Sequence, residues 1–384
     1  MRHYILKLFN ISLYFMSIAG LLAVDVQSTE AADKIRIAAI FSQTGIAVDH
    51  NKPAILGARM AVEEINENGG LLGRLLDLTV IDNYSTPIGS KQAAEKSVAL
   101  NVTAVIGSIW SSHSEAMAKV LQKAKIPMIT PGSTQAGITQ VGDYIFRTCF
   151  IDSFQGPAMA SFAHEYLGAR TAVVFTNVNE TYSVNLAKLF IETFNGKGGQ
   201  ILIHRHYKGT AVDFAGILLS AKEVRPDVFF VPGYSRDSGL MIKQAAKLGI
   251  ETIFLGCDAW DGPVIFEYGG GALDGSYYST HWHSNVAFYK SRHFKKRFRK
   301  SHGSRKITSP VILTYDSVWV LADAIQRAGS VDRSKIRDAL AATKQFKGAT
   351  GTITFDANGD PVDKEMSIIR FDKARLAFIK SMKP

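Results

Sequence analysis

Residues 103–134 read TAVIGSIWSSHSEAMAKVLQKAKIPMITPGST. Two short apolar runs, Ala104-Val105-Ile106-Gly107 and Ile126-Pro127-Met128-Ile129, each lead into a hydroxyl-rich segment. The first is Trp110-Ser111-Ser112-His113-Ser114 and the second Thr130-Pro131-Gly132-Ser133-Thr134. The pattern predicts strands at 103–106 and 126–130 around a helix at 112–124. In an open α/β sheet, such strand ends face a ligand crevice. Hydroxyls and free backbone N–H groups there suit a small anion such as a carboxylate.

The same alternation continues on both sides. Strands are predicted at 35–41 and 75–81, and helices over the face Ile55, Ala58, Val62, Ile65 and over 87–100. Asn68-Gly69-Gly70 stops the first of these helices. A second run follows, with helices at 154–167, around Leu186 and Phe190, and around Phe214 and Leu218. Its strands are predicted at 171–176, 200–206, 227–231 and 252–255. Strands alternating with helices imply parallel sheets covered on both faces. Two such runs imply two similar lobes in a chain of 384 residues. The tail departs from this rhythm. It predicts helices at 285–301, 311–328 and 332–342, then strands at 351–355 and 366–371 joined by an Asn358-Gly359 turn.

The N-terminus reads as an export signal. Arg2 and Lys7 precede the mostly apolar residues 8–24, and Thr29-Glu30-Ala31 offers small residues for cleavage near Ala31 or Ala32. Residues 1–32 are therefore taken as a signal peptide and the mature protein as exported. An uncleaved anchor is the other reading, weakened by Asn10 and Ser12. Neither cysteine, Cys149 or Cys257, lies in the signal, which excludes a lipid-anchored cysteine there. The thiols are expected to be buried and unpaired.

Formal net charge is +10, and much of the excess falls between Lys290 and Lys306. Phe288, Phe294 and Phe298 recur within that segment, so it predicts an amphipathic surface helix with a solvated basic face. Docking on an anionic partner is the alternative. No nucleic-acid reader motif accompanies the charge.

No catalytic engine is evident. There is no Gly-x-Ser-x-Gly elbow, no dinucleotide fingerprint after the first strand and no Gly-Lys-Ser/Thr after Gly269-Gly270-Gly271. Neither His204/His206 nor His281/His283 has the companions of a recognised metal site. No cofactor is expected. Ser111 or Ser112 can cap the helix that follows, or the serines can form a binding turn. Gly132 lets a ligand approach the backbone, and the Thr134 hydroxyl can donate and accept. Asp258, after the strand at 252–255, either forms a turn or accepts a ligand ammonium from the opposite lobe. Tyr234 either faces a ligand or covers a strand end.

The order of motifs resembles the leucine/isoleucine/valine-binding protein family, the solute receptors of branched-chain amino acid ABC transporters. The resemblance rests on Phe41-Ser42-Gln43-Thr44-Gly45, Gly57-Ala58 through Glu64-Ile65-Asn66, Gly69-Gly70 and Gly73-Arg74. Val105-Ile106-Gly107, Ile129-Thr130-Pro131, Arg147-Thr148, Gln155-Gly156 and Tyr315-Asp316 continue it. It covers essentially the whole mature chain.

The resemblance implies a type I periplasmic binding protein fold: two Rossmann-like, doubly wound α/β lobes joined by a three-strand hinge. The expected lobes are 33–151 with 283–349, and 152–282 with 350–384. It implies a monomeric, periplasmic binding protein, not an enzyme, that passes an amino acid or related small carboxylate to an inner-membrane permease. A sensory protein signalling to a receptor is the alternative. Ser111 matches the serine that bonds the ligand carboxylate, with Ser112 and Ser133 beside the site. Gly132 and Thr134 match positions that hold the ligand's charged end. Tyr182 and Tyr234 match aromatics that close over it, and Asp258 stands where branched-chain receptors carry a glutamate for the ammonium. His50 replaces a frequent tyrosine, Trp110 and Ser85 replace a disulfide found in some members, and Pro310 falls near a pocket phenylalanine. His50, Trp110 and Trp260 are expected as pocket walls.

Overall fold

The computed structural model describes residues 34–286, 288–373 and 375–384. The predicted signal peptide lies outside the described residues. The first sheet contains β1 (Ile35–Phe41), β2 (Leu76–Asp82), β3 (Ala104–Ile106), β4 (Met128–Thr130) and β5 (Ile145–Arg147). All its pairings are parallel, in the order β2-β1-β3-β4-β5. The second sheet repeats that order with β6 (Thr171–Asn177), β7 (Gln200–Tyr207), β8 (Val228–Phe230), β9 (Ile253–Gly256) and β10 (Tyr277–Thr280), paired as β7-β6-β8-β9-β10. A small ribbon joins β11 (Phe346–Gly348) to β12 (Gly351–Ile353). Then β13 (Met366–Asp372) and β14 (Arg375–Met382) extend the second sheet antiparallel beyond β10.

Helices cover these sheets. They are α1 (Val48–Glu67), α2 (Pro87–Ala99), α3 (Ser111–Lys123), α4 (Asp152–Ser161), α5 (Thr181–Gly196), α6 (Ala215–Glu223), α7 (Ser235–Lys247) and α8 (Val264–Gly269). After β10 come α9 (Tyr289–His302), α10 (Ser309–Ala328) and α11 (Arg333–Ala341). Three-residue strands suffice because β3, β4, β5 and β8 are wholly buried, with helices burying their apolar side chains on both faces. The chain passes from the first sheet to the second after β5, returns after β10, and passes again between β12 and β13.

Local chemistry sets the boundaries. The Thr86 hydroxyl accepts from Gly89 N at 2.9 Å, with Pro87 at the first position of α2; both are ordinary helix-start devices. The predicted apolar face of α1 is buried, and the chain leaves it through Gly69 and Gly70 at φ 93° and 77°. Two glycines permit close approach. A Cβ at Gly57 would stand 1.9 Å from Val311 O, so α10 packs directly on the α1 backbone. A Cβ at Gly107, where φ is 136°, would stand 2.1 Å from Ile40 O, so the end of β3 lies tight against β1.

The structure differs from the expected tail. Residues 351–353 do not form a hairpin with β13. Gly348 pairs with Gly351 instead, and Asp316 holds the intervening Ala349 and Thr350 N–H groups at 2.7 and 2.8 Å. The Asn358-Gly359 turn closes only a Phe355–Pro361 bridge, and Gly359 O accepts from Arg147 N at 3.1 Å. The helix predicted at 154–167 ends at Ser161 and continues as a wider turn over Phe162–Tyr166. The basic segment does form an amphipathic helix, α9, with Phe294 and Phe298 fully buried in the core of the first sheet.

Candidate functional site

Order reverses in the first sheet between β1 and β3, and in the second between β6 and β8. Crevices open at the carboxyl ends of strands at such points. The segments after β3 and β4 therefore meet those after β6, β8 and β9. Around the meeting point lies a small cavity lined by Gly132 and His50 from one side and by Tyr182, Tyr234, Asp258 and His281 from the other. Ile109, Pro310 and Leu313 add an apolar wall.

Asp258 is the charged centre. Its Oδ1 accepts from Gln155 Nε2 and from the Tyr182 hydroxyl, both at 2.8 Å. His281 Nε2 lies 3.1 Å from Oδ2. The side chain is only 11% exposed. Burial pushes its pKa up, but the bonds and charge of His281, with Gln155 and Tyr182, more than offset this and hold it below the usual value. Asp258 is thus an ionised carboxylate. A carboxylate offers about four lone-pair sites, so an acceptor position remains on Oδ2. Tyr182 and Tyr234 are buried, which raises both phenols well above their ordinary range and keeps them neutral.

Several buried polar atoms around this centre have no partner among the described residues: Thr134 Oγ1, Gln155 Oε1, the Tyr234 hydroxyl and His281 Nδ1. Tyr234 and His281 line the cavity itself, Gln155 bonds the Asp258 carboxylate, and Thr134 lies in the turn after β4 outside the lining. Buried polar atoms are normally satisfied, so the two exceptions that face the cavity leave room for a ligand's polar groups.

The halves also meet directly. Trp110 stacks on Tyr234 with ring centroids 3.7 Å apart and planes 6° apart, and Tyr234 stacks in turn on Tyr182 at 5.3 Å. His50 Nε2 lies 2.8 Å from Ala259 O and 3.2 Å from Ser235 Oγ. Burial lowers the His50 pKa despite the favourable Ala259 carbonyl. The Ser112 hydroxyl donates to Glu180 Oε2 at 2.9 Å, and burial pushes the Glu180 carboxyl up to about 7. Glu180, Asp237, Arg236 and Trp110 line a second cavity that shares His50 and Tyr234 with the first.

The sequence-predicted residues thus fall into groups. Gly132, Tyr182, Tyr234, Asp258 and His50 line one cavity, as does Pro310. Ser111 accepts from Gln135 N at 3.3 Å and ties α3 to the Thr134 loop. Trp110 closes the cleft through its stack. Ser112 is engaged by Glu180 rather than facing the cavity. Ser133 turns into its own loop, where its hydroxyl donates to Ile109 O at 3.0 Å and meets Ser114 Oγ at 2.7 Å. Trp260 is no pocket wall: it is fully buried in the core on the other side of the second sheet, beside Gly256 and Phe371. Gln155, His281 and Glu180 were not among the predicted site residues. The Gln155-Gly156 motif and the His281/His283 pair were visible signals without an assigned partner. Cys149 and Cys257 are both buried and free.

A family model described as periplasmic binding protein matches residues 34–375. The chain belongs to this family. It is 27% identical over 361 residues to the leucine-, isoleucine-, valine-, threonine- and alanine-binding protein of Pseudomonas aeruginosa, spanning 93% of this chain and 94% of that one. The leucine-binding protein LivK of Thermotoga maritima superposes with a TM-score of 0.87 at 34% identity, covering 91% of this chain and 99% of that one. The branched-chain amino acid transporter substrate-binding protein LivJ of Streptococcus pneumoniae, solved with isoleucine, gives 0.87 at 28% identity over 91% and 100%. The fold is that of the type I periplasmic binding proteins, and the family consists of binding proteins of branched-chain amino acid ABC transport rather than enzymes.

Proposed function

We propose that this protein is an exported solute-binding protein that captures a small α-amino acid in the cavity around Asp258 and delivers it to an ABC permease. The observation that carries this reading is the ionised, buried Asp258 carboxylate with an acceptor position left over, in a cavity where the Tyr234 hydroxyl and His281 Nδ1 also lack partners among the described residues. A ligand ammonium completes that carboxylate through a charge-assisted bond, with Gly132 O as a second acceptor. The Ser111 and Thr134 hydroxyls and the N–H groups of their turns serve the ligand carboxylate. Ile109, Pro310 and Leu313 suit a short apolar side chain. The Pseudomonas relative is named for five small or aliphatic amino acids and the Streptococcus structure holds isoleucine, which agrees with that choice. In this reading residues 33–151 with 283–349 form one lobe and 152–282 with 350–384 the other. They part to admit ligand and close on contacts made to both. Residues 1–32 direct export to the periplasm.

Calorimetric titration with a panel of aliphatic, polar and aromatic α-amino acids tests this. At least one is expected to bind at about micromolar Kd or tighter. Binding of simple carboxylates with no binding of any α-amino acid would overturn it.

A further inference from the structure

The positive charge of this chain is unevenly neutralised. On one face of α9, His293 reaches Glu64 at 2.7 Å and Arg297 reaches Glu67 at 2.9 Å. Lys295 and Arg299 lie on another face, one turn apart, and make no ion pair among the described residues. They open onto a groove of about 880 Å³, within the size range of small-molecule sites. Arg305 and Lys306 reach the same groove from the loop after α9, and Arg375 reaches it from β14 of the other sheet. Among the described residues the only carboxylate lining it, Asp261, is buried and already accepts from Ser309 N at 2.8 Å and the Thr280 hydroxyl at 3.2 Å.

The ordinary structural explanations cover part of this cluster. A cation in the last turn of a helix is favoured by the helix dipole, which accounts for Arg299. Lys295 Nζ donates to Ser284 O at 3.0 Å, and Lys306 Nζ lies over the Phe266 ring at 5.1 Å. Neither the dipole nor helix patterning brings Arg305 and Arg375 to one concavity from two different elements. Like charges converging on a concave, low-dielectric surface repel one another and focus a positive potential there. The arrangement is relieved by a ligand of opposite charge.

We infer that this groove binds a compact polyanion bearing several phosphate oxygens, either free in solution or as an anionic lipid headgroup. Guanidinium groups suit it, since their forked donors match phosphate oxygens. The groove shares no lining residue with the Asp258 cavity.

The test uses the mature protein and two variants that each lose three positive charges. One is Arg299→Gln/Arg305→Gln/Arg375→Gln in the groove. The other is Arg292→Gln/Lys296→Gln/Lys300→Gln, on exposed positions of α9 outside it. Inorganic triphosphate is titrated by calorimetry at low and high salt. Vesicles of neutral lipid, with and without phosphatidylglycerol, are tested by co-sedimentation. Wild type and the outer variant are expected to bind triphosphate within about twofold of each other, while the groove variant loses at least about tenfold. High salt weakens all binding, as screening requires. Vesicle binding that the groove variant loses assigns the headgroup source; triphosphate binding alone assigns the soluble one. No triphosphate or vesicle binding by wild type, or equal loss in the two variants, overturns the inference. Unchanged thermal unfolding of both variants establishes that they are folded.

Discussion

On the first-sheet side of the cleft, the polar groups belong to turns: Gly132, Ser111 and Thr134 follow strand ends, and their neighbours Ser114 and Ser133 are occupied in bracing those turns. On the second-sheet side they belong to side chains gathered from far apart in sequence: Gln155, Tyr182 and His281 converge on the Asp258 carboxylate. A turn offers the same backbone groups to any ligand with a matching charged end. A side-chain cluster has a fixed charge and shape, and so it selects. The first half is a general cradle and the second a specific one, with Trp110 and His50 reaching across from the cradle to touch the selector.

Asp258→Asn breaks the comparison most severely. It keeps the size of the side chain and an acceptor for Tyr182, but removes the charge that meets an ammonium. Loss of such a partner costs about 3 kcal/mol, so calorimetry should show amino-acid affinity falling by about 100-fold while the protein stays folded. Trp110→Ala comes next. An aromatic stack is worth about 0.5–1.5 kcal/mol beyond area burial, so removing the Tyr234 contact should weaken binding by up to about tenfold. It also clears space, and competition assays should show a shift towards bulkier side chains.

A smaller effect concerns pH. Burial, with the nearby Asp237 charge, raises the Glu180 carboxyl from its ordinary 4.5 to about 7, although the Ser112 hydrogen bond favours ionisation. A carboxyl raised in the closed protein prefers its proton there. Its contribution to stability is therefore present below pH 4.5 and is lost as pH rises through about 7. Glu180→Gln should flatten the fall in Tm across that window. An unchanged slope would show that Glu180 does not titrate there. The smallest effect on binding is expected from Trp260→Phe. Its indole N–H has no partner to lose, and the ring lies behind the sheet. Ligand affinity should stay within about twofold, while stability drops by about 1–2 kcal/mol.

The alternation of apolar runs and amphipathic helices was legible because each short strand is buried on both faces, and that burial is written into its composition. The strands and turns that depend on distant partners were not. The ribbon of β11 and β12 exists because Asp316 holds the turn between them, and the Asn358-Gly359 turn docks on Arg147. The site divides the same way. Residues at strand ends, such as Gly132, Tyr234 and Asp258, follow from the topology. Gln155 lies 103 residues from Asp258, and no spacing rule brings it there. Trp260 is close to Asp258 in sequence but not in the direction it points. The two residues share a single 3-10 turn, and at about three residues per turn an i, i+2 pair points in different directions. The carboxylate turns to the cleft and the indole to the core.

On this account Asp258 reads an ammonium. The most direct measurement compares an amino acid with the same molecule lacking its amino group, for instance leucine against 4-methylpentanoate, on wild type and Asp258→Asn by calorimetry. A different best ligand from the panel would be paired with its own deaminated form. Wild type should prefer the amino acid by at least about 100-fold, and the variant should lose most of that preference, given tenfold for each 1.4 kcal/mol. Equal binding of the two molecules by wild type, or an undiminished preference in Asp258→Asn, would contradict it.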